Sequence, residues 1–188
     1  MSKLELPEGR EREFALKDGA IVHFKELKVE DGEALERFVD SLSEDAIYFR
    51  FLMTGIDRGV LIEQLSPKPE SFTLVALKGG QIVGHAAYYR NDAETAEVGL
   101  LVIDDYQGRG LGTTLTERIA RSANGEGISM FETIIGWNNT RMIRMVRDMG
   151  FPTSERVEPD LIRIRFPTSI DPLTIKEFQD KWVFLPDE

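Results

Sequence analysis

The sequence predicts an α+β domain built around a mixed β-sheet. Three observations carry this reading. Pairs of apolar runs meet at Asp-Gly and Gly-Gly turns, several other segments repeat apolar residues at helical spacing, and one apolar run passes through a glycine-rich loop straight into a helical pattern. At 188 residues the chain suits one domain, which would bury about 70% of its unfolded surface.

Each element has its own signal. Phe14 to Leu27 reads as a hairpin, with Lys17-Asp18-Gly19 as the turn. Ala34, Leu35, Phe38, Val39 and Leu42 mark a first helix. Ser43, followed by Glu44 and Asp45, caps a second helix through Leu52. A third covers Arg58 to Leu65 and stops at Ser66-Pro67. Residues 71–78 and 81–90 flank Gly79-Gly80 as a second hairpin. The run 94–103 leads into the loop and a helix whose buried stripe is Leu111, Leu115 and Ile119. A strand over 128–137 precedes a helix from Asn139 to Met149, ended by Gly150. Strands near Leu161–Phe166 and a helical piece over 172–182 complete the order.

Composition narrows the function classes. Hydrophobic residues at 41% and charged residues at 30% describe an ordinary globular chain. No apolar run approaches the roughly 18 residues of a membrane span. The charged start carries no secretion-like core, so a cytoplasmic location is expected. With no cysteine there is no disulfide framework or cysteinyl intermediate, and two distant histidines make no metal cluster. A net charge of −10 argues against nucleic acid as a partner and favours cationic ones.

The most informative stretch is Val102 to Thr114, where a buried strand ends, Gly108, Gly110 and Gly112 alternate, and a helix begins. Glycines let successive amides turn toward one centre, and a helix start adds unpaired donors and partial positive charge. Together these suit a pyrophosphate. A P-loop is excluded, because no Lys-Ser or Lys-Thr follows the glycines. A dinucleotide fingerprint fails too, since Thr113 occupies its sixth position.

Gln107-x-x-Gly110-x-Gly112, behind an apolar strand and opening a helix, resembles the coenzyme A motif of the GNAT acetyltransferases. The element order fits as well, down to a helix ending in Gly150-Phe151, and the resemblance spans roughly Ala20 to Phe166. At the front, Leu16-Lys-Asp-Gly19, Val29-Glu-Asp31 and Leu42-Ser-Glu-Asp-Ala-Ile-Tyr-Phe-Arg-Phe51 resemble the GNAT module of the Pat-type protein lysine acetyltransferases. The resemblance implies a mixed, mostly antiparallel sheet flanked by helices and splayed between the two strands that hold the cofactor. It divides the chain into an N-terminal extension with the first hairpin strand (1–19), an acetyltransferase domain (20–167), and a helical tail packed on it (168–188).

By the same resemblance, acetyl-CoA is the co-substrate and no metal takes part. Val102 would pair with the pantetheine arm, and Leu100 N–H would face the thioester oxygen. Gln107, Gly108, Arg109, Gly110, Gly112 and Thr113 would hold the pyrophosphate, with Asn139 contacting the cofactor from the next helix. Glu97, ten residues before Gln107, is the leading general base for deprotonating an ammonium. A one-residue slip in register would reverse its face unless a bulge intervenes, and Gly99 fits a bulge. His85, whose ordinary pKa lies near neutrality, is a second candidate, and His23 a weaker third.

One departure stands out: Val146 occupies the place where many relatives carry a tyrosine that protonates the leaving thiolate. Tyr106 and Tyr48 are substitutes whose packing role is the simpler reading. Arg141, Arg144 and Arg147 read as a solvated face, and the methionines around them as core. The expected activity is transfer of acetyl to protein lysines. A small amine (polyamine, amino acid or antibiotic) as acceptor and a non-catalytic acetyl-CoA sensor are the alternatives. The expected assembly is a monomer or homodimer.

Overall fold

The computed structural model describes residues 13–182. Residues 1–12 and 183–188, with the start of the expected extension and the end of the tail, lie outside the described residues. Among the described residues the chain forms an eight-stranded mixed sheet, ordered β1-β2-β3-β4-β5-β6-β8-β7, and six α-helices. Two compact units divide the chain, one drawn from Met1–Ala87 and Gly99–Ile119, the other from Tyr88–Val98 and Ala120–Glu188.

In the first unit β1 (Glu13–Ala15) and β2 (Ile21–Glu26) form the first hairpin. Its turn is set by Gly19 at φ 84° and by Ala20 N–H donating to Asp18 Oδ1 at 3.1 Å. β2 pairs antiparallel with β3 (Ser71–Lys78), and β3 turns into β4 (Gln81–Arg90) through Gly79 and Gly80 at φ 57° and 82°. Two consecutive positive φ values are what a two-residue hairpin requires.

Three helices follow the first hairpin: α1 (Gly32–Asp40), α2 (Glu44–Phe51) and α3 (Arg58–Leu65). Ser43 Oγ accepts from Ala46 N–H, and Asp57 accepts from Gly59 N–H, so α2 and α3 each start on a side-chain cap. Leu35, Phe38, Val39, Ala46, Leu61 and Leu65 pack with Leu27, Val75, Ile82 and Leu101 into one buried cluster. Another helix, α4 (Leu111–Gly125), sets its fully buried Leu111 and Leu115 against Gly84 of β4. A Cβ on Gly84 would meet Leu115 Cδ1 at 2.8 Å, so the glycine fixes how close this helix lies. Helices on both faces explain why the middle of β3 and nearly all of β4 are buried rather than alternating.

The first half of β5 (Thr95–Val102) belongs to the second unit and lies parallel to β6 (Met130–Gly136), with Thr95, Ala96 and Glu97 opposite Met130, Phe131 and Glu132. β8 (Leu161–Pro167) pairs antiparallel with the whole of β6, and β7 (Ser154–Val157) with β8. Tyr88, Phe131, Phe166 and Phe151 make a chain of ring contacts with centroids 5.8–5.9 Å apart. α5 (Thr140–Asp148) starts on Asn139, whose Oδ1 accepts from Met142 N–H at 3.1 Å. It buries Ile143 and Val146 and ends before Gly150 at φ 83°. Asp171 caps α6 (Pro172–Lys181), ahead of Pro172 at its first position.

Candidate active site

β5 ends at Val102, a single helical turn covers Asp104–Tyr106, and Gln107 to Gly110 lead into α4. Gly108 and Gly110 take φ 73° and 87°, conformations that cost a side chain about 1–2 kcal/mol. Space around Gly108 is open, with nothing within 4 Å of where a Cβ would stand. The first helical bond of α4 runs from Thr114 N–H to Gly110 O at 3.1 Å. The helix therefore has no acceptor of its own for the amides of Leu111, Gly112 and Thr113. Open glycine backbone followed by these helix-start amides is a donor set suited to an anion.

The loop is braced from three sides. Gln107 Nε2 donates to Val102 O and to Asp104 Oδ1, both at 2.9 Å. Ser43, the α2 cap, donates to the same Asp104 oxygen at 3.1 Å, which ties a front helix to the loop. From the first hairpin turn, Lys17 N–H donates to Arg109 O at 3.2 Å, and Asp18 pairs with the Arg109 guanidinium at 2.9 Å. That guanidinium also covers the Tyr106 ring at 5.0 Å. The Lys17 stem lies 3.7 Å from a Cβ position on Gly110. The sequence marked Lys17-Asp18-Gly19 as a turn; its meeting with the loop is a tertiary fact that no local signal carries.

Along β5 the expected alternation slips. Glu97 is half-buried, Val98 and Gly99 are buried, and Leu100 is half-buried again. Glu97, Leu100 and Val102 are the half-buried positions of the strand. Glu97 stands opposite Glu132 in the register. Glu132 in turn accepts from Arg163 at 2.8 Å and Arg165 at 2.9 Å, so its charge is already matched.

His85 is buried, and its Nε2 lies 3.0 Å from Leu65 O, with its ring stacked on Phe38 at 6.1 Å. Burial pushes its pKa down to about 4, and the Arg50 charge acts in the same direction. Burial thus favours the neutral imidazole, held in the sheet by Leu65 O and Phe38. His23 is an exposed partner of Glu13 at 3.4 Å on the first hairpin. Tyr106 sits under Arg109 and Tyr48 packs against Phe49 at 5.5 Å. Arg141, Arg144 and Arg147 are exposed, and Arg147 is held by Glu155 at 2.6 Å.

Comparison with known proteins agrees with this geometry. The model of the acetyltransferase (GNAT) family matches residues 36–151. Acetyltransferase Pat of Mycolicibacterium smegmatis is 31% identical over 114 residues, covering 57% of this chain and 34% of that protein. The chain thus spans about a third of that relative's length. The GNAT domain of S. lividans PAT matches with a TM-score of 0.75 at 27% identity, over 82% of this chain and 95% of that one. Spermidine N-acetyltransferase from Vibrio cholerae, crystallised with CoA and spermine, matches with a TM-score of 0.62 at 13% identity, over 78% and 95%, a likeness of fold alone. The family match takes in α2, α3, the motif strand, the glycine loop, α4 and α5, and this chain belongs to the GNAT family of acetyltransferases.

Proposed function

We propose that this protein transfers acetyl from acetyl-CoA to lysine side chains of other proteins, in the cytoplasm. The observation that carries the reading is the pair of left-handed glycines, Gly108 and Gly110, opening onto the unpaired amides of α4 inside the family-matched segment. In this reading the amides from Gly108 to Thr113 hold the diphosphate of the coenzyme, and Lys17 adds a positive charge beside them. Gln107 and Arg109 act mainly as struts of the loop, since their side chains are engaged with Val102, Asp104 and Asp18. Asn139 shapes the start of α5 through its cap. The resemblance of Leu42–Phe51 to the Pat-type protein lysine acetyltransferases, together with the 31% identity to acetyltransferase Pat, supports a protein lysine as acceptor.

The chemistry assigned to β5 is direct attack. Glu97 accepts a proton from the acceptor ammonium, because only the free amine has a lone pair. The amine nitrogen then bonds to the acyl carbon, and Leu100 N–H donates to the oxygen on which charge develops. The C–S bond breaks and the sulfur leaves as thiolate. Val146 is buried and has no proton to give, so no residue of α5 in that position assists departure.

Glu97→Gln tests the assignment. Acetyl-CoA affinity by calorimetry should stay within about twofold, while kcat/KM falls about 100-fold or more. Unchanged turnover would remove Glu97 from the mechanism. Mapping acetyl-lysines by mass spectrometry, after incubation with acetyl-CoA and lysate proteins, tests the acceptor class. Activity on polyamines or amino acids with no protein acetylated would refute the lysine reading.

A further inference from the structure

The front segment from Leu42 to Phe51 contains an arginine that nothing above has used. Arg50 lies in the last turn of α2, just before Leu52 ends the helix at φ 55°. Its side chain is half-buried and its guanidinium rests on the backbone of Gly99 in β5. A Cβ on Gly99 would fall inside the guanidinium, so glycine at this position makes the seat.

A guanidinium stays charged at any physiological pH, and one drawn out of water ordinarily finds a carboxylate. In this chain most arginines of structural weight have done so. Arg58 takes Asp40 and Glu36, Arg109 takes Asp18, Arg147 takes Glu155, and Arg163 and Arg165 share Glu132. Acidic groups are in excess, 33 against 23 Lys and Arg. Yet among the described residues Arg50 has no carboxylate partner; its guanidinium lies over the Phe51 ring, at 5.1 Å, and against the backbone of Gly99. Its place adds meaning, because Gly99 directly precedes Leu100. A carboxylate bonded to Arg50 would therefore lie next to the stretch of β5 to which the reading above assigns the thioester.

We infer that Arg50 is a specificity-determining residue that binds a carboxylate carried by one of the two reactants beside the transferred acyl group. The carboxylate belongs either to the acyl chain of a dicarboxylic acyl-CoA or to an acidic group flanking the acceptor amine. The inference rests on the acetyltransferase reading of β5 given above.

Kinetics with paired substrates test it. One arm compares succinyl-CoA with acetyl-CoA; the other compares lysine peptides differing only by Glu or Gln beside the lysine, and glutamate-derived amines with neutral ones. In one arm the acidic version should be favoured about tenfold or more in kcat/KM, mainly through KM. Arg50→Met should abolish that preference and leave neutral pairs within about twofold, while Arg50→Lys keeps part of it. Thermal unfolding and acetyl-CoA calorimetry control for folding. Should Arg50→Met fail to fold, Gly99→Ala displaces the guanidinium with its charge intact and should erase the same preference. An absent preference in both arms, or one that survives Arg50→Met, overturns the inference. Calorimetric affinities for the same pairs separate the two levels. An Arg50-dependent preference in binding without transfer to any amine sinks the acetyltransferase reading alone, and transfer with no such preference sinks this one alone.

Discussion

At the scale of single residues, His85 shows how burial decides chemistry. Its folded pKa near 4 lies below the ordinary 6.5, so the unfolded chain binds a proton that the folded one excludes. This group therefore costs no stability above about pH 6.5, and an increasing amount as pH falls toward 4, on the order of 3 kcal/mol at most. His85→Gln keeps a donor for Leu65 O and removes the titration. The difference in Tm between wild type and variant should shift in favour of the variant between about pH 6.5 and 5, with no comparable trend above pH 7. A parallel pair of curves would mean that His85 is solvated. The glycine loop is the second residue-scale case. Alanine at Gly108 meets open space but a disfavoured φ, so strain acts without a clash. Gly108→Ala should weaken acetyl-CoA binding about tenfold by calorimetry, with a fall in Tm of only a few degrees. The glycines, the Ser43 cap and the Asp18-Gly19 turn were all legible in the sequence, because each is a local backbone demand. Arg50 on Gly99 and Lys17 beside Gly110 were not, because neighbours in space leave no mark on neighbours in sequence.

Among elements, the approach of α4 to β4 controls where the loop amides stand. Leu111 and Leu115 reach Gly84 so closely that no larger residue fits without moving a leucine. Gly84→Val should destabilise the fold by about 1–3 kcal/mol in denaturant titration, and should raise KM for acetyl-CoA as the start of α4 is pushed away. Lost stability with an unaltered KM would separate α4 packing from the site. The helices and both hairpins could be anticipated, since caps, Gly-Gly and Asp-Gly turns, and apolar spacing all agree on their limits. β7 had no such signal: Ser154-Glu155-Arg156-Val157 has one apolar residue, and the ladder offered by β8 makes it a strand. The strand β5 was legible as a strand, but which of its faces Glu97 occupies was not, because a register or a bulge depends on the partner strands.

Across the whole molecule, charge sets a conflict that the two reactants resolve in opposite ways. The net charge of −10 would attract the lysine-bearing acceptor proposed above and repel a coenzyme that carries several phosphate charges. Among the described residues Arg109 beside the glycine loop is already matched by Asp18, so in the proposed site Lys17 and the backbone amides would meet the coenzyme. Exposed charges act over a Debye length, about 10 Å at roughly 0.1 M salt, so added salt should relax both effects. Raising ionic strength from roughly 0.02 to 0.2 M should increase KM for a lysine-rich protein acceptor several-fold. Over the same range KM for acetyl-CoA should stay level or fall, and kcat should hardly move, because encounter rather than chemistry is being screened. The two slopes must therefore differ, with only the acceptor's KM rising. If KM for the acceptor does not rise, the acidic surface plays no part in drawing it in, and local contacts alone set its affinity.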